Sequence, residues 1–167
     1  MRTYWIGFMA LLYLTGCGSW GDFTYKSDRF KYKVTFPEKW EVWDRSDDTA
    51  DFLVGSLPES PKAVILVKTH TVAPDLSPQE IYPSFMDGSE YADKLEFKIE
   101  DKGAISCKNA EGRFFKFDYL GEEQKMRGMR ALFLGERYIM EITMEMPEDD
   151  FIAHEMDFNK MIHLIEL

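Results

Sequence analysis

Residues 126–165 read MRGMRALFL-GE-RYIMEITMEM-P-EDDFIAHEMDFNKMIHLI, and this stretch decides the fold. Two runs rich in apolar residues, 126–134 and 137–146, flank Gly135-Glu136, which is the composition of a hairpin between antiparallel strands. Pro147 ends the second run because it has no N–H to give to a ladder. The acidic Glu148-Asp149-Asp150 that follows complements the positive end of a helix dipole, and Phe151, Phe158, Ile162 and Ile165 recur near helical spacing. A helix with one apolar stripe, placed straight after a hairpin, is expected to lay that stripe on the sheet.

Upstream, the pattern is mostly strand. Residues 113–119 and 104–107 are apolar-rich, and Leu95, Phe97 and Ile99 alternate with polar residues. Ser77-Pro78-Gln79-Glu80 carries a helix start, with Ser77 as cap, Pro78 at the first helical position and Glu80 as the reciprocal partner. That helix should run to about Met86, and Pro83 inside it limits it to a kinked helix or about two turns. Residues 52–57 and 63–71 read as strands about the turn Pro58-Glu59-Ser60-Pro61, and Ala63-Val64-Ile65-Leu66-Val67 reads as a central, well-buried strand. The acidic stretch 44–51 reads as a solvated loop, preceded by a strand carrying Trp40, Val42 and Trp43. In 28–36, Phe30, Tyr32, Val34 and Phe36 alternate as on a half-buried strand. Mostly strands, with one mid-chain and one terminal helix, make an α+β plan with an antiparallel sheet, a single domain over residues 23–167.

Composition agrees. With 167 residues, 45% of them hydrophobic, the chain can bury a core without a disulfide framework or a structural metal. A formal charge of −10 argues against nucleic acid, because neutralising phosphates takes clustered Lys and Arg.

The first residues carry an address. Trp5 to Leu14 form an uncharged, mostly apolar run after Arg2, too short for a permanent span of a bilayer, which takes about 20 residues. Leu14-Thr15-Gly16-Cys17 resembles the bacterial lipobox, which implies removal of residues 1–16 as a signal peptide and lipidation of Cys17. Residues 17–22, with Gly18, Ser19 and Gly21, then form a lipidated cysteine and short tether. The competing reading is a buried N-terminal helix with Cys17 packed in a core. Gly18, where an Asp would retain a lipoprotein in the inner membrane of many diderm bacteria, favours the outer membrane, facing the periplasm.

The opening 28–37 with Trp40, an aromatic strand leading to a proline and then a tryptophan, resembles the start of PsbP-like domains. The resemblance covers about residues 22–167 and implies an α-β-α sandwich around an antiparallel sheet. It further implies a binding or assembly factor rather than an enzyme.

Candidates for chemistry are few. His70, His154 and His163 are the only histidines; His154 and Asp157 can share a helix face, with Glu155 or His163 as further donors, yet a metal needs three or four convergent ligands. The expectation is no metal and no cofactor. Cys107 reads as a buried strand cysteine. The carboxylate pairs Asp47-Asp48 and Glu148-Asp149-Asp150 read as solvated, and no serine-hydrolase, phosphate-loop or zinc-protease motif occurs. Arg127 and Arg130 are an odd interval apart on a strand, so they point to opposite faces and should enter salt bridges. Trp40 and Trp43 also face opposite ways, and one exposed tryptophan would serve a partner or ligand. The leading expectation is a non-catalytic envelope protein held to the membrane by lipid on Cys17 and binding another protein. The alternative is a small-ligand or lipid carrier using the sheet face under the terminal helix.

Overall fold

The computed structural model describes residues 23–72 and 77–167, so Leu14, Thr15, Gly16 and Cys17 lie outside the described residues. The elements run β1 (Thr24–Lys26), β2 (Lys33–Thr35), β3 (Glu41–Asp44), β4 (Ala50–Leu57), β5 (Ser60–Thr71), α1 (Pro78–Met86), β6 (Leu95–Ser106), β7 (Glu111–Leu120), β8 (Lys125–Leu134), β9 (Tyr138–Pro147) and α2 (Glu148–His163). Seven strands form one antiparallel sheet in the order β3-β4-β5-β9-β8-β7-β6, and β1 pairs with β2 beside it. No helix among the described residues is long and apolar enough to cross a membrane.

The β8–β9 hairpin and α2 fall where the sequence places them. Strand alternation sends Met129, Ala131 and Phe133 of β8 and Met140, Ile142 and Met144 of β9 to one face, where they meet Phe151, Phe158, Met161 and Ile162 of α2. All ten are fully or almost fully buried, each stabilising by about 1.5–3 kcal/mol relative to exposure for the larger side chains. On the other face, α1 and a single 3-10 turn at Ser89–Tyr91 cover β6, β7 and β8 through Phe85, Tyr91, Phe97, Phe115 and Phe117. Helices on both faces make the α-β-α sandwich. Gly88 opens the 3-10 turn at φ 67, a left-handed backbone that a side chain disfavours, and a Cβ there would press on Phe97.

Several local expectations are corrected. Phe30, Tyr32, Val34 and Phe36 are all buried as their alternation implies, but only Lys33–Thr35 is strand. Lys31 sits at φ 61 in a turn in which its N–H donates to the Ser27 carbonyl, and this breaks the ladder. Strand β1 is too short to show a period. Pro61 belongs to β5 rather than to the turn, tolerated as the strand's second residue. Residues 95–106 form one strand, not two, because bulges at Leu95/Lys98 and Ile99/Asp101 switch the alternation from the α1 face to the α2 face, and Cys107 lies just past its end. In the acidic stretch, Asp47 folds the loop by accepting from the Thr49 and Ala50 N–H groups, but Asp51 is buried opposite Thr69 rather than solvated.

Asp118 is buried at the β7–β8 pair, where Arg127 Nε and Nη2 donate at 2.7 and 3.1 Å and Lys125 Nζ lies at 2.9 Å. Arg127 and Lys125 also reach Glu148 in the first turn of α2, so the network ties the sheet to that helix. Burial alone would raise the Asp118 pKa, but the bonds from Arg127 and Lys125 outweigh it and hold the carboxyl below its ordinary range. A depressed folded pKa stabilises above the ordinary carboxylate pKa, and that contribution disappears as pH falls through the folded value. Asp118→Asn is therefore expected to cost about 1.5–3 kcal/mol in chemical denaturation at pH 7, with the gap to wild type closing at pH 3. A gap that did not change with pH would show that the carboxylate charge is not what stabilises.

Candidate docking face

The two helices do not cover the sheet equally. On the α1 face, α1 and the 3-10 turn lie over β6–β8, and among the described residues β3, β4 and β5 are left open. Cross-strand register sets Trp43, Val54 and Leu66 in one row there, with Phe52 and Val64 beside them. Trp43 is 41% exposed and the other four are half-buried.

Strand β9 forms the border between the covered and open halves, and it sends Glu141, Thr143 and Glu145 to this face. Each is held from the covered side. The Arg130 guanidinium pairs with Glu141 and Glu90 and lies 5.1 Å over the Phe85 ring. The Tyr119 hydroxyl donates to Glu145, and Tyr91 lies beside Thr143 and Glu145. Burial, and then the Glu145 carboxylate, push both tyrosines well above their ordinary pKa, so they stay protonated donors. Four residue steps of extended strand put the Cα atoms of Glu141 and Glu145 about 13 Å apart, and each carboxylate has its own partner, Arg130 for Glu141 and Tyr119 for Glu145. The border is a fixed polar seam beside an apolar shelf.

The expected site residues scatter. Trp43 is exposed, but Trp40 is 4% exposed, a core residue set edge-on to His154 at 6.3 Å, and is corrected as a partner contact. His154 Nδ1 lies 4.0 Å from Asp157, and the ring of His163 bonds the Ser106 carbonyl at 2.7 Å. Among the described residues no group of three or more His, Cys, Asp and Glu side chains could hold a metal ion. Cys107 is buried. Arg127 and Arg130 face opposite ways, each in ion pairs. The sheet face under α2, the expected carrier pocket, is filled by the packed side chains named above. Open clefts lie elsewhere: one of ≈ 440 Å³ at the edge of α1, beside Tyr82 and Arg113, and one of ≈ 410 Å³ at the flank of α2.

The shelf and seam were missed in the sequence, although signals exist. Glu141-x-Thr143-x-Glu145 places three polar residues on one side of a strand that is apolar on the other. In β5, Val64 and Leu66 alternate with the fully buried Ile65 and Val67, and this two-sided run reads as a buried centre when one side is partly open.

These features define a class: an α-β-α sandwich on an antiparallel sheet, with one sheet face half open beside a polar seam. No family model matches the chain, and no curated protein matches it. Among solved structures, PsbP (CyanoP) of Synechocystis sp. PCC 6803 superposes with a TM-score of 0.68 at 10% identity, over 91% of this chain and 95% of that one. LpqN of Mycobacterium tuberculosis, described as involved in cell envelope biogenesis, superposes with a TM-score of 0.61 at 12% identity, over 87% and 89%. The chain has a PsbP-like fold, and at these identities the likeness is one of fold.

Proposed function

We propose that this is a non-catalytic, lipid-anchored protein of the bacterial cell envelope, attached through Cys17 and binding another envelope protein through the open half of its α1 face. The observation that carries the reading is the row Trp43, Val54 and Leu66, apolar side chains partly open on a sheet face that the neighbouring helix could cover but does not. The envelope role of LpqN and the lipobox-like 14–17 support the setting, and Gly18 favours the outer membrane. Tryptophan at the rim of an apolar shelf suits a protein contact, since buried aromatic anchors dominate such interfaces.

A photo-crosslinking residue in place of Trp43 in living cells is expected to give a discrete adduct, absent when the same residue replaces Leu120, exposed on the opposite face of the sheet. Val54→Glu should remove the adduct without loss of folding. No adduct at position 43, or the same adducts from both positions, would sink the proposal.

A further inference from the structure

We infer that the outward stripe of α2 is the side this protein lays on a lipid surface, an inference that rests on the proposed anchor at Cys17. Six large hydrophobic residues are exposed among the described residues; two lie on α2, Ile152 at 65% and Met156 at 79%, and a third, Leu164 at 53%, caps its C-terminal end. Ile152 and Met156 are one turn apart and Leu164 falls about two turns further, so they share one side of the helix. Phe151, Phe158, Met161 and Ile162 of the helix are taken up by the core beneath it, and Glu148 and Glu155 by ion pairs to the sheet. This stripe is not.

What covers it follows from where the chain enters the domain. The carbonyl of Phe23 accepts from the N–H of Phe36 at 2.8 Å, and the two rings pack edge-on at 6.1 Å. Phe36 and the following turn to Lys39 form one wall of the ≈ 410 Å³ cleft; Asp157, Lys160 and Leu164 contribute to its other wall. The domain therefore begins beside α2. Six residue steps separate Cys17 from Phe23, a reach of about 20 Å at full extension. A helix with its side chains is about 10–12 Å across, and a sheet packs about 10 Å from the next layer. A lipid on Cys17 thus keeps the bilayer within about 20 Å of Phe23, and because Phe23 packs on Phe36 at the flank of α2, α2 is the layer nearest to it.

Charge does not drive the contact. On the exposed side of α2, Asp149 and Asp157 outnumber Lys160, and at the flank Lys39 stands beside Glu38. The apolar trio is too small to bind alone, so the surface acts only once the tether holds it near lipid. This orientation turns the Trp43 face away from the bilayer, where a protein partner has access.

The test uses the full lipidated chain in vesicles of phosphatidylethanolamine and phosphatidylglycerol. A polarity-sensitive fluorophore is placed on Met156→Cys, Leu164→Cys and, for comparison, Trp43→Cys; the unsubstituted chain, whose Cys107 is buried, gives the blank. Positions 156 and 164 are expected to shift to the blue, to lose quenching by an aqueous quencher and to gain quenching by nitroxide-bearing lipid. Position 43 should stay in water. A chain that floats with the vesicles while 156 and 164 quench from water like 43 overturns the inference and leaves the anchor standing. A chain that floats no better than Cys17→Ala overturns both. Protection at 156 that needs no vesicles and grows with protein concentration would assign the stripe to a second copy, and overturns it as well.

Discussion

Phe117→Ala is expected to remove about 3–5 kcal/mol of unfolding free energy, a large part of the roughly 5–15 kcal/mol that holds a domain folded. The ring is fully buried at the centre of the α1 face, with Tyr91 at 4.5 Å, Phe115 at 5.7 Å, Phe97 at 5.9 Å and Tyr119 at 6.4 Å between centroids. Aromatic pairs add about 0.5–1.5 kcal/mol each beyond the area they bury. Its place is reserved by Gly128 on the neighbouring strand: the two residues are cross-strand partners, and a Cβ at 128 would overlap the ring. Gly128→Ala should therefore cost about 1–3 kcal/mol by overpacking. The two costs should not add. With the ring gone there is nothing for the new methyl to strike, so the double variant should be less destabilised than the sum of the singles. Urea denaturation of the four forms gives the result, read as midpoint shifts at unchanged slope. Strict additivity would mean that the methyl at 128 strains something other than Phe117.

The covered and open halves of the sheet differ in how far the sequence reveals them. Residues that bury one face announce themselves by period, which is why the β8–β9 hairpin, α2 and the four alternating residues Phe30, Tyr32, Val34 and Phe36 could be placed as core from spacing alone. Backbone events do not repeat, and so they leave no period: the left-handed Lys31 that cuts β2 short and the bulges in β6 were legible only in three dimensions. The docking face was harder still. Strand parity sets Trp40 and Trp43 on opposite sides, but it cannot say which of them faces out, that Trp40 lies just before β3, or that α1 stops short of β3–β5. How far a helix covers a sheet is set by where the chain crosses and lands, a tertiary fact with no local signature.

Cys17→Ala is expected to change the protein's location completely rather than by degree. Burying acyl chains stabilises attachment by about 0.8 kcal/mol per CH₂, and a single myristoyl chain gives only marginal, reversible binding, whereas two or more make it stable. Lipid on Cys17 would thus dominate every contact the domain itself makes with a bilayer. On the proposed anchor, without the sulfur there is nothing at that position to acylate, and residues 14–17 no longer match a lipobox that would direct cleavage before residue 17. Intact mass should show wild type beginning at Cys17 with acyl groups attached and the variant retaining residues 1–16 with none. Fractionation should move the protein from a form that resists alkaline carbonate to one that carbonate releases, because the leader's apolar run is about half of what a stable span requires. The domain is expected to stay folded, since among the described residues the core runs from Phe30 to Ile165, with Phe23 packed against it. Equal mass and equal resistance to carbonate in the two forms would remove the anchor, and with it the orientation that turns α2 toward lipid and leaves Trp43 facing a partner.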